Sequence, residues 1–382
     1  MTTAPTAASA RQEALPAFGT FFLPGPTEVR AEVLAAMTRP MIAHRGRAFE
    51  ELFARLQEGL KPVFRTTRPV LVSSSSATGL MEAAVRCAPE GAVLAVVNGA
   101  FSDRFAQIAR ACGRETDVLD VPWGAVVALD DLGRRLAARR YAAVTVVHSE
   151  TSTGALTDVR AVTELARRHG AMCLIDSVTG VAGAPLEFDA WELDFVLTGS
   201  QKALALPPGL ALGVASAQYM TQARHVRGRG LYFDLVEFEQ YCAKNQTPNT
   251  PALPLLYALE VQLEAVGREG IERRWARHAA MQAETEQWVR AMAARFGDVG
   301  ILAPEAARSP TVTAVTPPPG VAADAVPKGV LRRGYTIGGG YGKLRPTTFR
   351  IGHMGDHTVD GLRRCLAVIE EVLDEAVRAP HA

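Results

Sequence analysis

The sequence predicts an α/β fold in which a large domain on a mostly parallel sheet is followed by a smaller C-terminal α/β domain. Three observations predict it. Short runs rich in Val and Ile alternate with helical patterns through the first two thirds of the chain. Those runs are apolar throughout rather than alternating, as strands covered on both faces are. After about Leu253 the pattern turns helical for a long stretch, then resumes as shorter strands and helices.

Taken in order, residues 69–73 read as a strand and residues 80–87 as the start of a helix. Val93–Val97 is a strand, and residues 101–112 form the next helix. Ala143–Val147 is β-branched and strand-like, residues 159–169 are helical, and 172–175 and 195–198 are further strands. The long helical stretch breaks near residues 267–270. Beyond it come a strand at 312–315, a helix at 324–332, a strand at 348–351 and a helix at 358–377. The expected division is a loose N-terminal tail at 1–18, a large domain at 19–265 and a small domain at 266–382.

Composition narrows the partners. Hydrophobic residues make up 48% of the 382 and charged residues 21%, enough for a sizeable interior. A formal net charge of +1 gives no reason to expect nucleic acid or an anionic membrane. No run approaches the ~18 apolar residues of a membrane helix, and the small, polar start does not resemble a secretory signal. The five cysteines are widely spaced with no CxxC pair, so neither a disulfide framework, nor a zinc site, nor any other metal is expected. Reduced thiols and a cytoplasmic location fit this usage.

The chemistry starts at Lys202, in Gly-Ser-Gln-Lys-Ala-Leu (199–204), just after a strand. Apolar flanks lower a lysine's pKa and favour the neutral amine that forms a Schiff base. By itself the segment also fits a surface lysine at a strand end. Asp176 closes the preceding strand in Leu-Ile-Asp-Ser-Val. A buried carboxylate needs a partner, and the ring nitrogen of pyridoxal phosphate is one; a helix N-cap is the other reading. The run Ser73-Ser-Ser-Ser-Ala-Thr-Gly opens a helix and makes an anion cup suited to a phosphate, or an ordinary capped helix. His148-Ser-Glu-Thr-Ser-Thr-Gly154 follows another strand and offers hydroxyls, which also suit a turn. Arg350, inside a strand of the small domain, fits bidentate capture of a substrate carboxylate or a structural salt bridge.

These segments together resemble the class V aminotransferases, the fold-type I enzymes that depend on pyridoxal 5′-phosphate. The resemblance runs from Leu23-Pro-Gly-Pro-Thr-Glu28 to Phe349-Arg-Ile-Gly352. Within the class it is similar to the alanine–glyoxylate and serine–glyoxylate (serine–pyruvate) aminotransferases. It implies that Lys202 is the Schiff-base lysine and proton shuttle, and that Asp176 pairs with the ring nitrogen. Val178 would pack on one ring face and Phe101 on the other. Ser76, Ala77 and Thr78 would bind the phosphate with Gln201 beside them. Thr151 would meet the phenolic oxygen or the substrate carboxylate, which Arg350 would hold. Thr250 matches a position that reaches the neighbouring subunit's phosphate, so a homodimer with shared sites is implied.

Phe101 and Thr78 depart from aromatic residues found in relatives. His44-Arg45 resembles a dipeptide of the phosphoserine aminotransferases that contacts a substrate phosphate; a helix-entry salt bridge is the competing reading. The expected reaction is therefore transfer of the amino group of alanine or serine to glyoxylate or pyruvate. The alternative is a phosphoserine or aspartate aminotransferase. A cysteine desulfurase-type lyase is disfavoured because Gln201 precedes the lysine and Cys365 falls in a helix. Retention of lysine, aspartate, cup and arginine disfavours a non-enzymatic interaction module.

Overall fold

The computed structural model describes residues 18–378. The expected tail lies almost wholly outside the described residues. Seven strands form the main sheet: β1 (Leu71–Ser73), β2 (Val93–Val97), β3 (Thr116–Asp120), β4 (Ala143–Val147), β5 (Met172–Asp176), β6 (Phe195–Gly199) and β7 (Ala211–Ala215). Their order is β1-β7-β6-β5-β4-β2-β3, and only β7 runs antiparallel to its neighbours. The helices Ala77–Cys87, Ala100–Ala111 and Val159–Arg168 pack on this sheet, which explains why most of its strands are apolar on both faces. The α/β class and the largely parallel sheet are as the sequence predicts.

A second sheet is built around Val312–Thr316, Thr336–Gly339 and Phe349–Gly352, with the helix Val359–Arg378 covering its own hydrophobic core. One expectation is corrected here. Phe21–Phe22, assigned to the large domain by position, pairs in parallel with Thr336–Ile337 in the second sheet. Phe22 is buried in the second core and stacks on His357, 4.1 Å between ring centroids, so tertiary packing and not sequence position decides its place.

The two cores meet along the helices Leu253–Glu269 and Ile271–Phe296, which break at Gly270. The buried Arg274 ties the junction together. It pairs with Glu269 and Asp356, both at 2.9 Å, and donates to the Ala203 carbonyl at 2.7 Å. Burial alone would raise the Asp356 carboxyl, but Arg274 and Arg30 outweigh it and hold it below the usual range. This polar joint ends one residue from Lys202. Among the described residues no helix is long and apolar enough to cross a membrane.

Candidate active site

Parallel strands deliver their C-terminal ends to one edge of the sheet, where α/β folds place ligands. Asp176 is the last residue of β5, Lys202 follows β6, Ser76 follows β1 and His148 follows β4. A cavity of about 350 Å³ opens at that edge. Of the residues expected there, Lys202, Asp176, Val178, Ser76, Ala77, Thr78, Phe101, Thr151 and Gln201 all line it.

Lys202 is 8% exposed and its Nζ donates to the Pro24 carbonyl. Thr27 pins its backbone by donating from Oγ1 to the Lys202 carbonyl at 3.0 Å. Burial brings the amine down to about 8; Arg350 adds to this, while Asp176 and Glu150 oppose it. The neutral amine is therefore more accessible than for an ordinary lysine. The Asp176 carboxylate is buried and accepts from the Val178 amide at 2.8 Å. Burial pushes it up to about 7, with the Val178 amide and Lys202 pulling the other way. An acid so placed lacks a full counter-charge, and a cationic ring nitrogen in the cavity would supply it. Behind it His148, fully buried and lowered by burial to about 4, hydrogen-bonds the Ser177 hydroxyl at 2.9 Å.

At the opposite end, Ser76 caps the helix Ala77–Cys87 without a side-chain bond into it. The first-turn N–H groups of a helix have no partner within it, so the Ser76–Thr78 corner is an anion site next to the dipole's positive end. An acid raised by burial, an amine lowered by burial and an anion cup thus line one cavity, and these residues fit pyridoxal phosphate.

Glu150 organises another wall. Its buried carboxylate accepts from the Ser102 amide at 2.9 Å and from the Ser152 amide and hydroxyl at 3.1 and 2.6 Å. That caps the helix Ala100–Ala111 and fixes Phe101 relative to Thr151. Thr151 shares its hydroxyl with Thr179. Its carbonyl accepts from Arg350 Nη1 at 3.1 Å, which brings Arg350 from the second sheet against a residue that lines the cavity.

Four expected residues do not line this cavity: Arg350, which lines a second pocket with Gly339 and Tyr341, and His44, Arg45 and Thr250. Among the described residues Arg45 makes no ion pair; it donates to the Thr247 and Pro248 carbonyls at 2.6 and 2.9 Å and lies over Tyr241, so the salt-bridge reading gives way to bracing of the 247–250 turn. Thr250 is exposed on that turn, beside Ser73 and Ser74 and outside the Lys202 cavity.

Sequence reasoning missed Gly25, Met81, Arg104 and Thr179, which also line the cavity. Arg104 was legible in principle, since it stands three residues after Phe101 on one helix face. Gly25 was legible as a glycine between two prolines. It has φ +104°, and a Cβ there would lie 2.6 Å from Lys202 Cε. Gly25→Ala should therefore lower stability by about 1–3 kcal/mol through backbone strain alone and also displace Lys202. Thermal unfolding and cofactor titration should both show the defect; wild-type values in both would exclude this contact.

Residues 27–337 match the aminotransferase class-V family, and the chain belongs to it. It is a transaminase of that class, in a family that depends on pyridoxal phosphate in general. It is 32% identical to an L-aspartate–glyoxylate aminotransferase of Paracoccus denitrificans, covering 88% of this chain and 86% of that one. It is also 32% identical to a serine–glyoxylate aminotransferase of Arabidopsis thaliana, covering 93% and 90%. A solved alanine–glyoxylate aminotransferase of Nostoc sp. superposes with a TM-score of 0.87 at 29% identity, covering 96% of this chain and 98% of that one.

Proposed function

We propose that this chain binds pyridoxal phosphate at Lys202 and transfers the amino group of a small amino acid, alanine or serine, to glyoxylate or pyruvate. The observation that carries the reading is the cavity in which Lys202, Asp176 and the Ser76–Thr78 corner converge. Glyoxylate is the acceptor that the names of all three relatives share. When bound, pyridoxal phosphate supplies an aldehyde that condenses with amines and a ring that draws electrons from the substrate Cα.

The chain's own residues do the rest. The Ser76–Thr78 amides and hydroxyls hold the phosphate. The Asp176 carboxylate would keep a proton on the cofactor's ring nitrogen. The neutral Nζ of Lys202 takes the proton from the substrate Cα and delivers it back, as general base and then acid. Val178 and Phe101 would pack on the faces of the cofactor ring. Arg350 holds the α-carboxylate with N–H groups that its two carbonyl contacts leave free. A second copy of the chain would complete the site with its Thr250; exposed Leu231 and Tyr232 lie beside that turn and support a homodimer. Five free cysteines agree with a reducing, cytoplasmic setting.

A second reading, aspartate as donor, is favoured by one observation. Arg104 lines the cavity, and among the described residues it has no carboxylate partner. A half-reaction screen separates the two. Each amino acid is mixed with the cofactor-loaded enzyme while loss of the visible cofactor band is followed. Alanine and serine should react fastest; reaction confined to aspartate or phosphoserine would overturn the first reading.

A further inference from the structure

The turn after Thr336–Gly339 reaches from the second sheet to the first domain and carries Tyr341 against Phe101, a residue that lines the Lys202 cavity, while Tyr341 itself lines a second pocket with Arg350. The Tyr341 ring stacks on Phe101, with centroids 5.2 Å apart and planes 21° apart. Arg104 lies over Phe101 at 5.2 Å, and its Nη2 donates to the Tyr341 hydroxyl at 3.3 Å. The Arg350 guanidinium lies over the Tyr341 ring, 5.3 Å from its centroid. One residue beyond the turn's Gly342, Lys343 sits 4.4 Å over the Trp123 ring. The turn is thus clamped to the first core at two aromatic contacts.

The donors of Arg350 show what the clamp achieves. A guanidinium has five N–H groups. Nε donates to the Gly339 carbonyl at 2.8 Å and Nη1 to the Thr151 carbonyl at 3.1 Å. Three N–H groups remain, one on Nη1 and two on Nη2. Among the described residues no carboxylate answers them, although Arg350 is only 9% exposed. Burial without a counter-ion is costly, so the free edge is poised for an anion. Its direction depends on the plane of the guanidinium. Two hydrogen bonds leave that plane free to tilt about the line joining them; a ring against its face removes the tilt. Gly339 ends the strand and Tyr341 lies in the turn that follows it, so one continuous segment holds Arg350 by an edge and by a face.

We propose that Tyr341 is a positioning residue for substrate: through its ring it sets the plane of Arg350, and through its stack on Phe101 it keeps that plane in register with the cavity. This rests on the reading of Arg350 as the α-carboxylate anchor. A carboxylate is common to donor and acceptor, so the effect falls on both and on binding more than on the proton transfers at Lys202.

The test uses the cofactor-loaded enzyme with Tyr341→Leu, Tyr341→Gln and Tyr341→Phe, beside Arg350→Gln. Tyr341→Leu and Tyr341→Gln should raise KM for the amino donor and for glyoxylate about tenfold, the order of one ring–guanidinium contact. Their kcat should stay within about threefold, and Tyr341→Phe should match wild type within about twofold. Acetate, an unreactive carboxylate, gives a readout independent of turnover. It should raise the unfolding temperature of wild type and Tyr341→Phe at concentrations about tenfold lower than for Tyr341→Leu. Unchanged KM values and acetate response in Tyr341→Leu and Tyr341→Gln, with Arg350→Gln impaired, would overturn the role of Tyr341 alone. Unchanged KM values in Arg350→Gln as well would overturn the anchor reading, and this inference with it.

Discussion

Replacing Lys202 with alanine should lower transamination by at least about 10³-fold, and it should remove the visible absorbance that the protein gains with pyridoxal phosphate. The first effect follows from the loss of the group that accepts and returns the Cα proton, since one positioned acid–base contributes up to about 10⁴-fold. The second follows from the loss of the amine that condenses with the cofactor. No other lysine lines the cavity, so the loss has no substitute. Cofactor should still bind weakly through the Ser76–Thr78 corner and Asp176. The fold should persist, because the strand ends that frame Lys202 are fixed by β5 and β6 and not by its side chain. Turnover near wild type in steady-state assays would remove the residue from the mechanism.

Asp176→Asn should have the second largest effect, and its two consequences point in opposite directions. Activity should fall by at least about 10²-fold, the scale for removing one preorganised electrostatic partner. Stability of the cofactor-free protein should instead rise. In the folded chain burial holds this carboxyl up to about 7, whereas an unfolded chain ionises near the ordinary value of 3.8. Between those values the unfolded chain releases a proton that the folded chain keeps. Stability is therefore lost as pH rises through this window, and the whole penalty stands above it. Asparagine carries no such penalty, so its advantage should be small at pH 4.5 and reach a few kcal/mol at pH 8. Added pyridoxal phosphate should reverse the order, because only the carboxylate gains a cationic partner. Thermal unfolding at the two pH values, with and without cofactor, checks this. A variant no more stable than wild type at pH 8 without cofactor would show that Asp176 already has its counter-charge.

How far the sequence could be read follows from how local each signal was. Val93–Val97, Ala143–Val147 and the strands ending at Asp176 and Gly199 were legible because burial on both faces demands unbroken Val, Ile and Leu. The edge strand Thr116–Asp120 was not, since it is half-buried and has acids at two of five positions. Ala211–Ala215 was hidden by its small residues after a Pro-Pro-Gly turn, and Phe21–Phe22 is a strand only because Thr336–Ile337 lies beside it. The site divides in the same way. Lys202, Asp176 and Ser76 each end a strand or open a helix, so a few neighbouring residues announce them. Arg350 was found from its misfit in a strand, but its partners Thr151, Gly339 and Tyr341 are brought together only by the docking of the two cores. His44-Arg45 shows how the contacts of a short motif depend on distant parts of the chain. The dipeptide matched a substrate-binding pattern, yet the structure spends Arg45 on the carbonyls of residues 247 and 248.

The central claim is that one amine, the Nζ of Lys202, carries the cofactor. Reduction of the cofactor-loaded protein with borohydride, followed by proteolysis and mass spectrometry, tests it directly. The account predicts a single pyridoxyl-modified peptide, the one containing Gly199-Ser-Gln-Lys202, and none from Lys202→Ala. A modified lysine elsewhere, such as Lys244 or Lys343, or no modification of the wild-type protein, would contradict it.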